Sequence, residues 1–110
     1  MFESRQQERV PFFCDVAMSR LPGGPSIPAR SLDLSLHGVG LVTAGSFEQD
    51  QLVMLSFSLR DAAQHEIRER VLGRIAYMRA DVDANRVGVQ FAEPLQRSKN
   101  PELVSRLLKI

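Results

Sequence analysis

The sequence of 110 residues contains a single cysteine, Cys14, and only two histidines, His37 and His65. One cysteine cannot form an internal disulfide, so the chain carries no sign of an oxidising compartment. Three such residues are too few for a zinc site of the usual Cys/His type. The sequence also shows no pattern typical of a Ser-His-Asp catalytic triad, of a pair of catalytic carboxylates or of a glycine-rich phosphate loop. We therefore expect neither an enzyme nor a metal or cofactor.

Lysine and aromatic residues are equally scarce. Twelve of the 14 basic residues are arginine, tryptophan is absent, tyrosine occurs once, and the formal net charge is only +1. Oligonucleotide-binding barrels usually combine exposed aromatic rings with a basic groove, and nucleic-acid coat proteins need a large basic excess. We therefore expect no DNA or RNA partner. The abundant arginine suits phosphates and guanine edges, although a GC-rich genome produces the same bias.

Long apolar runs are missing as well. No segment approaches the roughly 18 apolar residues that cross a bilayer, and the first nine residues are polar and charged. We therefore expect no membrane insertion and a cytoplasmic location. Hydrophobic residues nevertheless make up 44% of the chain, which is enough for a packed core.

Alternation of apolar and polar residues predicts about six strands. These predicted strands cover residues 10–18, 29–34, 39–43, 52–59, 66–79 and 87–91. The segment LPGGPSIP, residues 21–28, is predicted to be a loop, and Gly73 predicts a bulge or a close backbone approach. Strands at this spacing without βαβ alternation indicate a mainly all-β fold of about six antiparallel strands, either a β-barrel or a β-sandwich.

The C-terminus changes to a helical period. Asn100 is a favourable capping residue, Pro101 suits the first turn, and four apolar residues follow at helical spacing. We expect a short C-terminal α-helix over residues 100–110 that packs against the barrel, since so short a helix is marginal alone. The chain is then a single domain over 1–110, with a flexible arm at 1–9 and the barrel at 10–92.

Two short motifs carry the functional signal. The first is Arg5-x-x-x-Arg9 in the arm, and the second is Asp33-x-Ser35-x-x-Gly38 at the end of the second strand. The first spacing is weak alone, because arginines recur at that spacing within the chain, but the two motifs in this order are more specific.

Strand parity gives the second motif an orientation. Asp33 and Ser35 are two residues apart and share one face, so Leu32 and Leu34 are expected to face the core.

Together the motifs resemble the PilZ domain family of cyclic di-GMP receptors. The resemblance extends from Arg5 to the terminal helix. It includes Gly73-Arg74-Ile75-Ala76-Tyr77, which is similar to a late strand of the family, and Gly88-Val89-Gln90-Phe91, which is similar to its final strand. The resemblance implies a six-stranded barrel that binds cyclic di-GMP on its outer surface. It further implies motility, surface attachment or exopolysaccharide control as the regulated process.

The resemblance assigns roles to individual residues. Arg5 and Arg9 would donate to phosphates or to guanine O6 and N7, and the arm would close over the ligand. Asp33 would accept from guanine N1–H and N2–H, which adenine lacks, and Ser35 would bind a base or phosphate. Gly38 would adopt a positive φ and let the ligand approach the backbone.

Two further residues are candidates for ligand contact. His37 lies within the second motif, and an exposed turn histidine is an equal alternative. Tyr77 stands where the family has a stacking aromatic, yet its parity with Val71 and Ile75 predicts a place in the core.

Other interpretations of the motifs stay open. Arg5 and Arg9 could be solvated charges, and Asp33 and Ser35 could simply shape a turn. Cys14 alternates with core positions and is expected to be buried and inert.

The first functional hypothesis is a receptor whose arm is ordered by cyclic di-GMP and which signals to a protein partner. The alternative is a ligand-independent PilZ-like module for protein–protein interaction. Ser4 stands where members that bind a ligand dimer often have another arginine, so one ligand per site is expected.

Overall fold

The computed structural model describes residues 8–108, which form seven strands and one helix. The strands are β1 (Val10–Pro11), β2 (Asp15–Arg20), β3 (Ser26–Leu34), β4 (Gly38–Thr43), β5 (Leu52–Arg60), β6 (Glu66–Ala80) and β7 (Asn85–Phe91). The helix, α1, is Pro101–Leu107. Within the same residues, no helix is long and apolar enough to cross a membrane.

The strands close into a barrel. Hydrogen bonds link them in the order β3-β2-β5-β6-β7-β4, and β4 pairs back onto β3. All of these pairings are antiparallel. The predicted six-stranded antiparallel barrel with one short helix is therefore confirmed. The short β1 pairs with the last residues of β3, after the part of β3 that pairs with β2. In this pairing Val10 is opposite Leu34 and Pro11 is opposite Asp33.

The barrel interior is filled by alternate apolar residues from six strands. The largest fully buried side chains are those of Phe57, Met18, Leu34, Leu41, Leu55, Ile75 and Leu103. Each contributes about 1.5–3 kcal/mol through removal from water. Leu103 belongs to α1, so the helix supplies part of the same core, as its spacing predicted.

A serine hydroxyl bridges the break between β1 and β2. Ser31 is fully buried, and its Oγ donates to the Phe12 carbonyl at 2.6 Å and accepts from the Cys14 N–H at 2.9 Å. These bonds satisfy backbone groups that have left the regular ladder. Cys14 itself is half-buried, and burial raises the pKa of its thiol, which fits an unreactive cysteine.

The predicted orientation of β3 was partly wrong. The pairing with β4 shifts by one residue between Ser31 and Asp33, so Leu32 is a bulged residue. Ser31 therefore faces the core, Leu32 is only half-buried, and Leu34 is buried as expected. The bulge leaves Asp33 on the outer surface.

Of two other local predictions, one needs correction and one is confirmed. The predicted loop over 21–28 is shorter, because β3 begins at Ser26 and contains Pro28. Pro28 is tolerated since the ladder with β4 starts only at Ala29. The close backbone approach predicted as one of two roles for Gly73 is confirmed, because an added Cβ would lie 2.8 Å from the Gln90 carbonyl oxygen.

A carboxylate from β6 caps the helix. The Asn100 side chain makes no cap hydrogen bond, contrary to our expectation, and instead donates to the Arg70 carbonyl. The buried Glu69 carboxylate accepts from the N–H groups of Glu102 and Leu103, at 2.8 and 3.0 Å. It thus satisfies two donors that the first helical turn leaves unpaired, and it fastens α1 to the barrel.

Replacing Glu69 is therefore expected to loosen the helix. We predict that Glu69→Ala lowers the free energy of unfolding by about 2–3 kcal/mol, since two charge-assisted hydrogen bonds are lost. Urea unfolding followed by circular dichroism measures this change. The control is Glu66→Ala, an exposed position on the same strand, which should change stability by no more than about 0.5 kcal/mol. Equal effects of the two variants would contradict the capping role.

Candidate functional site

The two motifs meet through an ion pair. Arg9 directly precedes β1, whose pairing with β3 brings it beside the end of that strand. Its Nη1 donates to Asp33 Oδ1 at 2.7 Å. The same oxygen accepts from the Gly40 N–H at 3.1 Å, so the carboxylate is held both by the residue before β1 and by β4. The pair is partly exposed and adds little stability, but it fixes both charges at one place on the surface.

Ser35 does not face outward as parity predicted. It is buried, and its Oγ accepts from the N–H groups of His37 and Gly38 at 3.3 and 3.1 Å. The Oγ also donates to the Gly38 carbonyl at 3.3 Å, alongside the Ser35 N–H at 2.9 Å. Ser35 therefore builds the turn between β3 and β4, which was the alternative interpretation of this residue.

Gly38 also differs from its predicted conformation. Among residues 8–108 the only glycine with a positive φ is Gly23, so Gly38 does not supply a left-handed turn. Glycine is needed at this position for a different reason. A Cβ at this position would lie 2.6 Å from the Val89 carbonyl oxygen, so the turn packs directly against β7.

Tyr77 lies on the outer surface because of a second bulge. The pairing of β6 with β7 shifts between Ile75 and Tyr77, so Ala76 is the additional residue. Ile75 stays fully buried while Tyr77 is 47% exposed, and the parity argument for a core tyrosine was wrong. The ring lies over Gly88, where an added Cβ would be 2.2 Å from its Cε2. Gly88 thus makes room for an exposed, flat aromatic face.

These features enclose one pocket of about 320 Å³. Five of the predicted site residues line it, namely Arg9, Ser35, His37, Gly38 and Tyr77. Asp33 is joined to this pocket by its ion pair with Arg9. Ala76, Gly88, Val89 and Gln90 complete the wall and were not predicted as site residues. The pairing of β7 with β4 and β6 brings them there. These residues lie in the two segments that resemble family strands, but the resemblance assigned a binding role in those segments only to Tyr77.

The remaining predictions concern residues away from this pocket. Arg5, with residues 1–7 of the predicted arm, lies outside the described residues. His65 pairs with Asp61 in the hairpin between β5 and β6. Across residues 8–108 no group of three His, Cys, Asp or Glu side chains is placed to hold a metal ion.

Comparison with protein families gives a match over nearly the whole chain. The model of the PilZ domain matches residues 3–108. The chain belongs to the PilZ domain family. No curated protein sequence gives a significant match. PilZ domains are non-enzymatic receptor or adaptor modules, and the ligand known for the family is cyclic di-GMP.

Solved structures share the PilZ fold at low sequence identity. The inhibitor of motility MotI/DgrA of Bacillus subtilis superposes with a TM-score of 0.69 at 18% identity, over 91% of this chain. This chain spans about half of that protein, 49% of its length. The PilZ domain of Escherichia coli YcgR, solved with cyclic di-GMP, gives a TM-score of 0.67 at 12% identity, over 91% of this chain and 86% of its own. The PilZ domain of CeSA from a cellulose-synthesizing bacterium gives 0.62 at 14% identity, over 91% and 94%.

The role of Ser35 in the turn can be tested through stability. We predict that Ser35→Ala lowers the free energy of unfolding by about 1–3 kcal/mol, because the buried Gly38 N–H loses its acceptor. Urea unfolding measures this change. Ser56→Ala, at a half-buried serine of β5, should stay within about 0.5 kcal/mol of the wild type. Unchanged stability of the Ser35 variant would show that the turn does not depend on this hydroxyl.

Proposed function

We propose that this PilZ domain binds cyclic di-GMP in the pocket between the segment that precedes β1, the β3–β4 turn and the outer face of Tyr77. The observation that carries the proposal is the ion pair of Arg9 with Asp33 at the edge of that pocket. The pair consists of a guanidinium, which can donate to a phosphate, and a carboxylate, which can accept from guanine, side by side on an outer surface of the barrel.

Ligand binding exchanges the partners of this ion pair. Both hydrogen bonds of the Asp33 carboxylate within residues 8–108 end on Oδ1, so Oδ2 can accept from guanine N1–H or N2–H. Arg9 can then turn from Asp33 to a phosphate or to the O6/N7 edge of guanine. Because the Gly40 N–H continues to hold the carboxylate, the guanine acceptor stays in position while Arg9 moves.

The neighbouring side chains suit the rest of the ligand. The exposed ring of Tyr77 offers a face on which a guanine can stack, supported from below by Gly88. His37 lines the same pocket, and its backbone is fixed by bonds to Ser35 and Phe91. In this proposal Ser35 and Gly38 act on the ligand through the shape of the turn.

Arg5 is proposed to join Arg9 on the ligand, because both belong to the same motif. Closure of the N-terminal segment over one bound dinucleotide would change the surface that a protein partner recognises. We therefore propose a receptor whose output is a ligand-dependent interaction, in the cytoplasm, with motility or biofilm control as the class of process. The inhibitor-of-motility neighbour supports a motility role, since its fold is shared.

Removing Arg9 provides the first test. We predict that Arg9→Ala abolishes detectable binding of cyclic di-GMP in isothermal titration calorimetry, while the melting temperature stays near that of the wild type. The reason is that the exposed ion pair contributes about 0–1 kcal/mol to stability, whereas the phosphate contact is lost entirely.

A second surface pair supplies the control for Arg9→Ala. Arg30 bonds to Asp15 at 2.8 Å, also on exposed side chains, away from the pocket. Arg30→Ala should bind the ligand like the wild type. Normal binding by Arg9→Ala, or equal loss in both variants, would contradict the assigned site.

Removing Asp33 tests base recognition. We predict that Asp33→Ala lowers the preference for cyclic di-GMP over cyclic di-AMP by about 10- to 100-fold, the effect of one charge-assisted hydrogen bond. Asp15→Ala, the matched control, should keep the preference. An equal loss of affinity for both ligands would show that Asp33 does not read the base.

A further inference from the structure

Gln90 lines the same pocket as Arg9, the described arginine of the first motif. It lies on β7, and its Cα partners are Gly38 on β4 and Arg74 on β6. Its side chain is exposed and lines the pocket together with Arg9 and Tyr77. Gly38, its cross-strand neighbour on β4, has no side chain that could cover the Gln90 amide.

The neighbouring arginine favours one orientation of this amide. Arg74 Nη2 donates to Gln90 Oε1 at 3.3 Å. A guanidinium carries only donors, so the amide oxygen must be the group that faces it, and the NH₂ group points away from Arg74. Arg74 has a second neighbour on its other side, since its Nη1 lies 3.8 Å from Asp50 Oδ1. These contacts are exposed and weak, and they act on geometry more than on stability.

In this orientation the Gln90 amide complements the other polar groups at the pocket. The Asp33 carboxylate is an acceptor suited to the N–H groups of guanine. A cyclic dinucleotide also presents acceptors, the phosphate oxygens and guanine O6 and N7, which require donors. The Ser35 hydroxyl is already used within the turn. Gln90 adds two N–H donors on the wall formed by β7, at a distance in sequence from both motifs.

From this geometry we infer that Gln90 is a further ligand-binding residue, and that Arg74 is the positioning residue that turns its NH₂ group towards an acceptor atom of the dinucleotide. This inference rests on the proposed function, because it concerns the same pocket and ligand. It assigns Gln90 a defined polarity: the residue donates to the ligand and does not accept from it.

That polarity can be tested by two substitutions at Gln90. In calorimetry with cyclic di-GMP, Gln90→Met removes the donors and should weaken binding by about 3- to 10-fold. Gln90→Glu keeps the acceptor for Arg74 but replaces the donors with a negative charge, so it should weaken binding by about tenfold or more. Unchanged or tighter binding by Gln90→Glu would overturn the inference, since it would mean that this position accepts from the ligand or does not touch it.

The role of Arg74 is tested by a double-mutant cycle. Arg74→Met should weaken binding in the wild-type background and have a much smaller effect when Gln90 is already Met, because it acts through the amide. Additive losses would show that Arg74 acts only as a positive charge. Arg70→Met is the control, since Arg70 lies on the same strand, opposite Ser56 and outside this pocket. An equal loss in that variant would likewise overturn the positioning role.

The wild-type titration separates this inference from the proposed function. If the wild type does not bind cyclic di-GMP, both fail together. If the wild type binds and the Gln90 variants bind equally well, the receptor assignment stands and only the role of Gln90 is overturned. A melting curve for each variant serves as the control, and we expect it to show that these exposed substitutions leave the barrel folded.

Discussion

Two single-residue bulges decide which side chains this barrel turns towards solvent. A regular strand alternates strictly, so Asp33 would share the inward face with Ser31, and Tyr77 would share it with Ile75. The additional residues Leu32 in β3 and Ala76 in β6 reverse that alternation locally. The core therefore keeps its apolar filling while an acid and an aromatic ring reach the outer surface. The pocket and its chemistry depend on these two reversals.

Buried polar groups keep the irregular parts of the barrel in place. Ser31 bridges the break between β1 and β2, Ser35 closes the β3–β4 turn, and Glu69 holds the start of α1. Within residues 8–108 no buried side-chain nitrogen or oxygen lacks a partner. Such satisfied groups cost little in stability and specify one arrangement of the chain. The Arg9–Asp33 pair is different because it lies at the surface, where a ligand can take over either partner.

Much of this architecture could be predicted from sequence periodicity. The strands and the terminal helix follow from local alternation, and Asp33 was correctly expected outside the barrel. The burial of Ser35, the exposure of Tyr77 and the ordinary φ of Gly38 could not be predicted from local pattern, although the family resemblance had offered Tyr77 as a ligand contact. They depend on bulges and on contacts with β7, which no local pattern records. The capping role of Glu69 and the place of Gln90 in the pocket wall were not predicted either, because their partners are distant in the sequence.

The most direct test of the receptor assignment is calorimetric titration of the full chain with cyclic di-GMP, with cyclic di-AMP and GTP as controls. Saturable binding of one ligand per chain, selective for cyclic di-GMP, is the predicted result. Absence of both heat and thermal shift, in a protein shown to be folded, would contradict the account. It would favour instead a PilZ domain that acts through protein contacts alone.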